Sequence, residues 1–221
     1  MKLTRYGKDV LIAILIISVI LFSLAIWTDE VWLRIVLIVV GLFLSIFSLN
    51  FFRDPDRTIQ ANGKDIEKLI ISPADGLVVG ISEIDEQEFL KCRTTLISIF
   101  MSPMDVHVNR APINGKVEFL RYVKGEFLVA DHPESTHRNE RMLIGMAGSA
   151  GRILFAQVAG YIARRIVCEA KIGDTLKSGE RFGMIKFGSR VDVFIPIGAT
   201  ILVKNGDRVS AGATVLAEFM S

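Results

Sequence analysis

The sequence predicts a mainly β fold that is preceded by an N-terminal hydrophobic helical hairpin. Two long apolar runs lie near the N-terminus, and shorter apolar runs separated by glycine-marked turns fill the rest of the chain. Short runs rich in β-branched side chains are typical of strands, whereas runs of about 18 apolar residues have the length of membrane-spanning helices. We therefore divide the chain into a membrane anchor, residues 1–52, and a β-rich domain, residues 53–221.

The anchor contains two mostly apolar runs, residues 10–27 and 35–52, with a short acidic connector at 28–30 between them. At about 1.5 Å rise per residue, each run makes a helix of roughly 27 Å, close to the thickness of the hydrocarbon core. Lysines and arginines flank the pair at both outer ends, and cationic flanks favour the cytoplasmic side of a membrane. We expect a hairpin in the cell membrane with the β domain on the cytoplasmic side. Two helices lying in one leaflet are the alternative.

Charge and cysteine content argue against several classes of function. The formal net charge is only +2 and no basic run occurs, so nucleic acid is not an expected partner. The two cysteines, Cys92 and Cys168, are far apart in the sequence. They provide neither a metal-binding spacing nor a disulfide framework, so we expect reduced cysteines and no metal.

The β-rich domain is expected to consist almost entirely of strands. Gly-Asp and Asn-Gly pairs separate several of its apolar runs, and glycine allows the positive φ that tight hairpin turns need. The polar stretch 131–140 instead predicts a surface loop. The predicted strands lie within residues 77–84, 94–102, 116–123, 142–148, 152–163, 181–187, 190–196 and 199–204.

Two internal repeats refine the predicted architecture. "KIGDTLKSG" (171–179) and "KNGDRVSAG" (204–212) share one pattern, and "SPADGLV" (72–78) and "APINGKV" (111–117) share another. The combination of these patterns resembles the biotinyl and lipoyl carrier fold, a flattened β-sandwich of two quasi-equivalent halves. The resemblance implies a barrel-sandwich, lipoyl-like architecture for the β domain.

Few side chains are candidates for acid–base chemistry. Histidine is the commonest general base, and the chain has three: His107 after an apolar run, and His132 and His137 in the polar stretch. For His107, a structural role at a strand end and a catalytic role are equally consistent with the sequence, whereas solvated histidines are expected in the polar stretch. Asp75 is either a turn residue beside a glycine or a carboxylate that orients a histidine.

Two further features have both a structural and a functional interpretation. Arg164 and Arg165 would point to opposite faces of a strand, so at most one of them would hold an anionic group. One surface charge and one ion pair are an equally good interpretation. Ser189 follows Gly188 between two apolar runs, but it lacks the Gly-x-Ser-x-Gly elbow of hydrolases. Taken alone, the Gly188-Ser189 pair predicts a turn.

Five motifs follow one another in order between residues 51 and 190: "FFRDPDR", "SPADG", "FMSPMDVHVNRAP", "NER" and "FGSR". Together they resemble the phosphatidylserine decarboxylase family, in its short form. The resemblance implies a pyruvoyl-dependent enzyme that converts phosphatidylserine to phosphatidylethanolamine and CO₂, with a membrane phospholipid as its substrate. Because members of this family tend to dimerise, the resemblance also implies a homodimer.

The same resemblance implies a proenzyme that cuts itself between Gly188 and Ser189. The Ser189 hydroxyl would attack the Gly188 carbonyl, an N-to-O acyl shift would give an ester, and β-elimination and hydrolysis would leave a pyruvoyl group. Residues 1–188 would form the large, membrane-bound subunit, and residues 189–221 the small subunit that carries the pyruvoyl group. The amine of the substrate would condense with this group to a Schiff base.

The resemblance assigns roles residue by residue. It places the aspartate of the self-cleavage triad at Asp75 and the serine at Ser189. His107 matches the first of two family histidines and is expected to transfer a proton during cleavage or after decarboxylation. The second position is Arg110, which cannot act as a base at ordinary pH. If a second histidine is needed, His132 is the expected substitute.

The sequence does not decide the type of lipid substrate, and it is also compatible with two other classes of protein. Arg110 or Arg164 would hold the lipid phosphate, and diacyl and archaeal ether lipids with a serine headgroup fit the same motifs. One alternative is a membrane-anchored biotinyl or lipoyl carrier with Lys186, in "GMIKF", as the modified lysine. The other is a non-catalytic adaptor that combines an anchor with a lipoyl-like sandwich.

Overall fold

The computed structural model describes residues 2–126, 138–160, 165–186 and 189–220. The chain divides into two compact units, Met1–Asp56 and Arg57–Ser221. The first unit is helical and the second consists mainly of strands. This confirms the predicted mainly β fold preceded by an N-terminal hydrophobic hairpin.

The helical unit begins with a 3-10 turn at Arg5–Gly7, followed by helix α1 (Lys8–Trp27) and helix α2 (Val31–Phe51). Its two ends are joined by a backbone hydrogen bond of 2.8 Å from the Thr4 N–H to the Phe52 carbonyl. Few helical side chains are buried, and both helices are long and apolar enough to cross a membrane. Exposed apolar helices of this length are consistent with membrane association, because water disfavours such surfaces and lipid does not.

The described part of the β unit contains fourteen strands, which follow a 3-10 turn at Ile66–Lys68. In chain order they are β1 (Leu69–Ile71), β2 (Gly76–Glu86), β3 (Cys92–Met101), β4 (Val108–Arg110), β5 (Gly115–Val123), β6 (Arg141–Ala147), β7 (Arg152–Ala159), β8 (Arg165–Cys168), β9 (Thr175–Leu176), β10 (Arg181–Lys186), β11 (Ser189–Pro196), β12 (Thr200–Ile201), β13 (Arg208–Val209) and β14 (Val215–Glu218).

These strands form three antiparallel sheets. The largest has eight strands in the order β13-β2-β3-β11-β7-β6-β5-β9, and two three-stranded sheets have the orders β1-β14-β12 and β4-β10-β8. Strand β11 lies inside the large sheet, with Ser189 opposite Met101 of β3 and Ala159 of β7. The Gly-Ser motif therefore places its serine at the first position of a strand that is paired on both sides.

The hydrophobic core lies between the sheets and draws side chains from all of them, including Ile70 of β1, Ile185 of β10 and Val193 of β11. Successive side chains of a strand point to opposite faces, so Ser189 shares the core-facing side of β11 with Val191 and Val193. A second, smaller apolar cluster covers the other face of the large sheet. The serine hydroxyl is thus on the inner face of the sheet.

The two internal repeats form equivalent structures. The Gly173 N–H bonds to the Val117 carbonyl at 2.8 Å, and the Gly206 N–H bonds to the Val78 carbonyl at 2.8 Å. Both glycines have positive φ, 100° and 90°, which the tight Gly-Asp turn requires. Each Gly-Asp turn therefore pairs with the valine of one Pro-x-x-Gly-x-Val segment, as the quasi-equivalent halves of a lipoyl-like sandwich require.

Candidate active site

Ser189 is fully buried at the start of β11. Its hydroxyl donates a hydrogen bond to the Met101 sulfur, with Oγ and Sδ 3.3 Å apart. A thioether is a weak acceptor, so this bond holds the hydroxyl in place without binding its proton strongly. Gly188, the other half of the predicted cleavage site, lies outside the described residues.

His107 is also fully buried, immediately before β4. Its Nδ1 lies 2.9 Å from the carbonyl oxygen of Asp105. Because a carbonyl can only accept, Nδ1 carries the proton and Nε2 is the nitrogen that can take up another. The ring is therefore held in the tautomer that a general base would use.

Asp75 lies in the turn before β2, and both of its carboxylate oxygens have partners. Oδ2 forms an ion pair with Arg57 Nη2 at 2.7 Å, and Oδ1 accepts the backbone N–H of Ala211 at 2.7 Å. The carboxylate side chain is only 11% exposed. Asp75 therefore links the start of the β unit to the turn between β13 and β14.

Three of the sequence motifs meet at one end of the large sheet. The Pro73 carbonyl of "SPADG" accepts the Arg110 backbone N–H at 3.0 Å, which joins this turn to β4. Gly76 lies so close to β3 that a Cβ there would be 2.2 Å from the Phe100 carbonyl oxygen. Phe100 is in turn paired with Arg190, the residue after Ser189. The structure thus brings the turn that carries Asp75 to the strand ends near Ser189.

Two other predicted residues are buried in the β unit. The Arg110 guanidinium donates to the Gly179 carbonyl at 3.0 Å, and its side chain packs beside Gly212. Lys186 is 5% exposed at the end of β10, inside a sheet rather than at an exposed hairpin tip. His132 and Arg164, which the sequence also singled out, lie outside the described residues.

Several buried polar residues near Ser189 were given no individual role from the sequence, although Asn109 and Asn139 belong to two of its motifs. Asn109 and Gln157 are fully buried and hydrogen-bond to each other across 2.9 Å. Asn139 is also fully buried and donates to the carbonyl of Ala159, the β7 partner of Ser189. For Gln157 the available signal was a polar side chain inside the apolar run 152–160, because such groups are rarely buried without a specific partner.

The face of β11 opposite to Ser189 carries a second polar group of residues. Arg190 and Asp192 form a buried ion pair, with Nε and Oδ1 2.9 Å apart. Asp192 and Arg141 also line a cavity of about 210 Å³ together with apolar side chains of β6, β7 and β11. Burial lowers the pKa of the Arg141 guanidinium, an effect that the nearby Glu88 carboxylate opposes. Among the described residues, no group of three or more His, Cys, Asp or Glu side chains is placed to hold a metal ion.

Residues 44–217 match the family model described as phosphatidylserine decarboxylase. Relatives named phosphatidylserine decarboxylase proenzyme align along most of the chain. The protein from Prosthecochloris aestuarii is 43% identical over 96% of this chain and 95% of its own length. The protein from Chlorobium phaeobacteroides (strain BS1) is 42% identical over 97% of this chain and 98% of its own length. The protein from Chlorobium luteolum is 43% identical over 98% of this chain and 100% of its own length. The chain therefore belongs to the phosphatidylserine decarboxylase family, and it is a decarboxylase.

Proposed function

We propose that this chain is a membrane-anchored proenzyme that cuts itself between Gly188 and Ser189 and then decarboxylates phosphatidylserine to phosphatidylethanolamine. Family membership supports the reaction, and the buried hydroxyl of Ser189 at the start of β11 supports the cleavage. Among the described residues, the Ser189 side chain makes only a weak hydrogen bond to a thioether, so little interaction energy from them opposes its movement toward the preceding carbonyl.

The self-cleavage needs only groups of the chain itself and water. The Ser189 oxygen attacks the Gly188 carbonyl carbon and gives up its proton to a base, while the peptide nitrogen leaves as an amine. A base then removes the Cα proton of Ser189, the Cβ–Oγ bond breaks and Gly188 leaves as a carboxylate. Water hydrolyses the resulting dehydroalanine to the pyruvoyl group and ammonia. We assign the base to His107, because the bond from its Nδ1 to Asp105 leaves Nε2 as the proton-accepting atom.

A pyruvoyl group formed from Ser189 would supply a carbonyl that binds the substrate amine and accepts the electrons released as CO₂ leaves. The surroundings of Ser189 fit such a group, because a buried side-chain amide of Asn109 lies near the same Met101 sulfur that Ser189 contacts. A small carbonyl group in a buried site gains from nearby N–H donors. Asp75 would contribute by fixing the turn at Ala211 beside the site.

The small subunit, residues 189–221, is expected to stay bound after cleavage. It contains β11, which pairs with β3 and β7 of the large subunit, and β13 and β14, which pair with β2 and β1. Cutting before β11 removes none of these ladder hydrogen bonds. The mature enzyme is therefore proposed to be a non-covalent pair of subunits, with the hairpin tethering it to the cytoplasmic side of the membrane that contains its lipid substrate.

The roles proposed for cationic residues differ. Arg110 already donates to the Gly179 carbonyl and is buried, so a structural role is favoured for it over binding of the lipid phosphate. Arg164, His132 and a homodimeric assembly remain proposals from the family resemblance. The carrier function of Lys186 is disfavoured, because a lysine that is modified by another enzyme must be exposed and this one is buried.

Intact mass under denaturing conditions tests the proposal. The purified wild-type chain should give two fragments, residues 1–188 and residues 189–221, the smaller blocked to N-terminal sequencing. Ser189→Ala should remain whole, because alanine has no oxygen to attack or eliminate. The wild-type preparation should release CO₂ from phosphatidylserine in vesicles, and a matched ether lipid with a serine headgroup defines the lipid preference. A decarboxylating preparation whose chain is whole and unmodified would overturn the proposal.

A further inference from the structure

A pair of buried amides connects two sheets close to Ser189. Asn109 belongs to β4 of a three-stranded sheet, and Gln157 belongs to β7 of the eight-stranded sheet. Neither residue is exposed, and Gln157 Nε2 donates to Asn109 Oδ1 at 2.9 Å. Gln157 follows Phe155 on the core-facing side of β7, so the pair lies within an otherwise apolar core.

Two backbone carbonyls fix the direction of this pair. Gln157 Nε2 also faces the Val167 carbonyl at 3.3 Å, and Asn109 Nδ2 faces the Pro73 carbonyl at 3.4 Å. A carbonyl can only accept, so each amide must turn its NH₂ group toward its own carbonyl. Asn109 is left with its oxygen toward Gln157 and its NH₂ group on the opposite side.

The NH₂ group of Asn109 points toward the site of Ser189. Asn109 Nδ2 lies 3.9 Å from the Met101 sulfur, and the Ser189 oxygen lies 3.3 Å from the same atom. The sulfur therefore receives a side-chain amide and the serine hydroxyl together. An N–H group that is held at the same sulfur as the hydroxyl is a candidate to stabilise the negative charge that develops on the oxygen as its proton leaves.

Stability alone does not account for the pair. Burying amides is unfavourable unless every polar atom is satisfied, and an apolar pair of similar volume would avoid that cost. No hydrogen-bond donor within the described ranges reaches Gln157 Oε1. The pair thus leaves a buried acceptor unsatisfied within this part of the chain, as is typical of residues kept for a function.

We propose that Asn109 and Gln157 are positioning residues for the self-cleavage at Ser189. Gln157 orients the Asn109 amide, and Asn109 then presents its N–H donor beside the Met101 sulfur and the serine hydroxyl. This inference rests on the proposed self-cleavage, and it adds Gln157 and gives Asn109 a role in the cleavage step itself, neither of which the motif resemblance assigns. The expected consequence is that reversing the amide direction slows cleavage even when the fold is intact.

Two acidic substitutions reverse or remove the donor with little change in volume. In Gln157→Glu the ionised carboxylate cannot donate, so Asn109 must turn its NH₂ group toward position 157 and away from Met101. In Asn109→Asp the donor is lost and the acceptor for Gln157 is kept. We expect both variants to cut at least about tenfold more slowly than the wild type, measured as the fraction of two-fragment chains over time by intact mass.

The pH dependence separates positioning from simple structural support. Protonation of the new carboxyl at position 157 restores a donor for Asn109, so the rate of Gln157→Glu relative to the wild type should rise as the pH falls. The double variant Asn109→Leu, Gln157→Met fills the core with apolar groups and should fold with a melting temperature near that of the wild type. It should nevertheless cut slowly, because the donor is absent.

Val193→Ala is the matched control for lost packing. Val193 is fully buried on the core-facing side of β11, and its truncation lowers stability without touching the amide pair. Below its melting temperature this variant should cut at the wild-type rate. If the wild type is cut and the folded acidic and apolar variants are cut as fast, the positioning role is wrong. If the wild type itself stays whole, the proposed self-cleavage is wrong.

Discussion

Asp75 accepts the backbone N–H of Ala211 across 2.7 Å, and this bond joins the two stretches of chain that cleavage before Ser189 would separate. The other oxygen of the same carboxylate holds Arg57. Asp75 therefore has a structural role that does not depend on orienting a histidine. The sequence predicted a functional carboxylate at this position, and the structure adds its two partners.

The two partners of Asp75 can be separated by substitution, in the Ser189→Ala background so that the chain stays whole. Asp75→Asn keeps an oxygen for the Ala211 N–H and removes the negative charge that pairs with Arg57, so we expect the smaller of the two losses. Asp75→Ala also leaves the Ala211 N–H unsatisfied, which should add about 1–3 kcal/mol. Urea denaturation measures both losses. If Asp75→Asn and Asp75→Ala lower the free energy of unfolding equally, the hydrogen bond to the Ala211 N–H does not contribute to stability.

His107→Ala should slow self-cleavage by about 10²–10⁴-fold, because general-base catalysis typically contributes a factor of that size. The rate is measured by intact mass after synthesis of the chain. Added imidazole can enter the space left by the ring and should restore part of the rate. A variant that cuts at the wild-type rate would remove His107 from the self-cleavage step and leave it only a role after decarboxylation.

Removing one partner of the buried ion pair between Arg190 and Asp192 should lower stability strongly, whereas replacing both residues by apolar ones should lower it little. Asp192→Leu leaves the Arg190 guanidinium buried without its carboxylate, and we expect a loss of about 3–5 kcal/mol. The double variant Arg190→Met, Asp192→Leu should recover most of that loss, because neither charge is then buried. Denaturant unfolding of the single and double variants, again with Ser189→Ala, gives the coupling energy. A double variant no more stable than Asp192→Leu would contradict this prediction.

Gly145 on β6 is expected to tolerate no side chain. A Cβ at this position would lie 2.6 Å from the Phe89 ring, which also stacks on Phe119 at 5.7 Å and lies 4.2 Å from the Arg152 guanidinium carbon. Gly145→Ala should therefore cost about 1–3 kcal/mol through overpacking.

Gly80→Ala is the matched control for Gly145, because Gly80 also lies in a strand and a Cβ there meets no atom of the described residues within 4 Å. Its effect on urea denaturation should be within about 0.5 kcal/mol. If both alanine variants lose the same stability, contact with Phe89 is not the cause. The pair of variants therefore distinguishes close packing from a general cost of replacing glycine in this sheet.

The sequence predicted the fold where a pattern was long or repeated. The Gly-Asp turns at Gly173 and Gly206 belong to two copies of one sequence pattern. In the structure each turn bonds to the valine at the same position of the other repeated pattern. The shorter strands β1, β4, β8, β9, β13 and β14 were not predicted, because two to four residues carry no clear periodicity and their pairing is decided by distant partners.

The site was predictable only as far as its motifs extended. Asp75, His107 and Ser189 followed from the family resemblance, but the tautomer of His107 depends on a carbonyl whose direction no sequence pattern gives. The bond between Asn109 and Gln157 joins residues 48 positions apart on different sheets. Such a contact arises only when the sheets pack, and local propensity contains no information about it.

Because β11 lies between β3 and β7, the chain should fold before the proposed cleavage takes place. A detached peptide of residues 189–221 would have to find an internal slot in a sheet that is not complete without it. In the proposed sequence of events, the continuous chain places β11 in the sheet before the bond is cut. After such a cut, refolding requires two molecules to meet, so a cleaved enzyme should lose activity irreversibly on heating, whereas uncut Ser189→Ala can refold on its own.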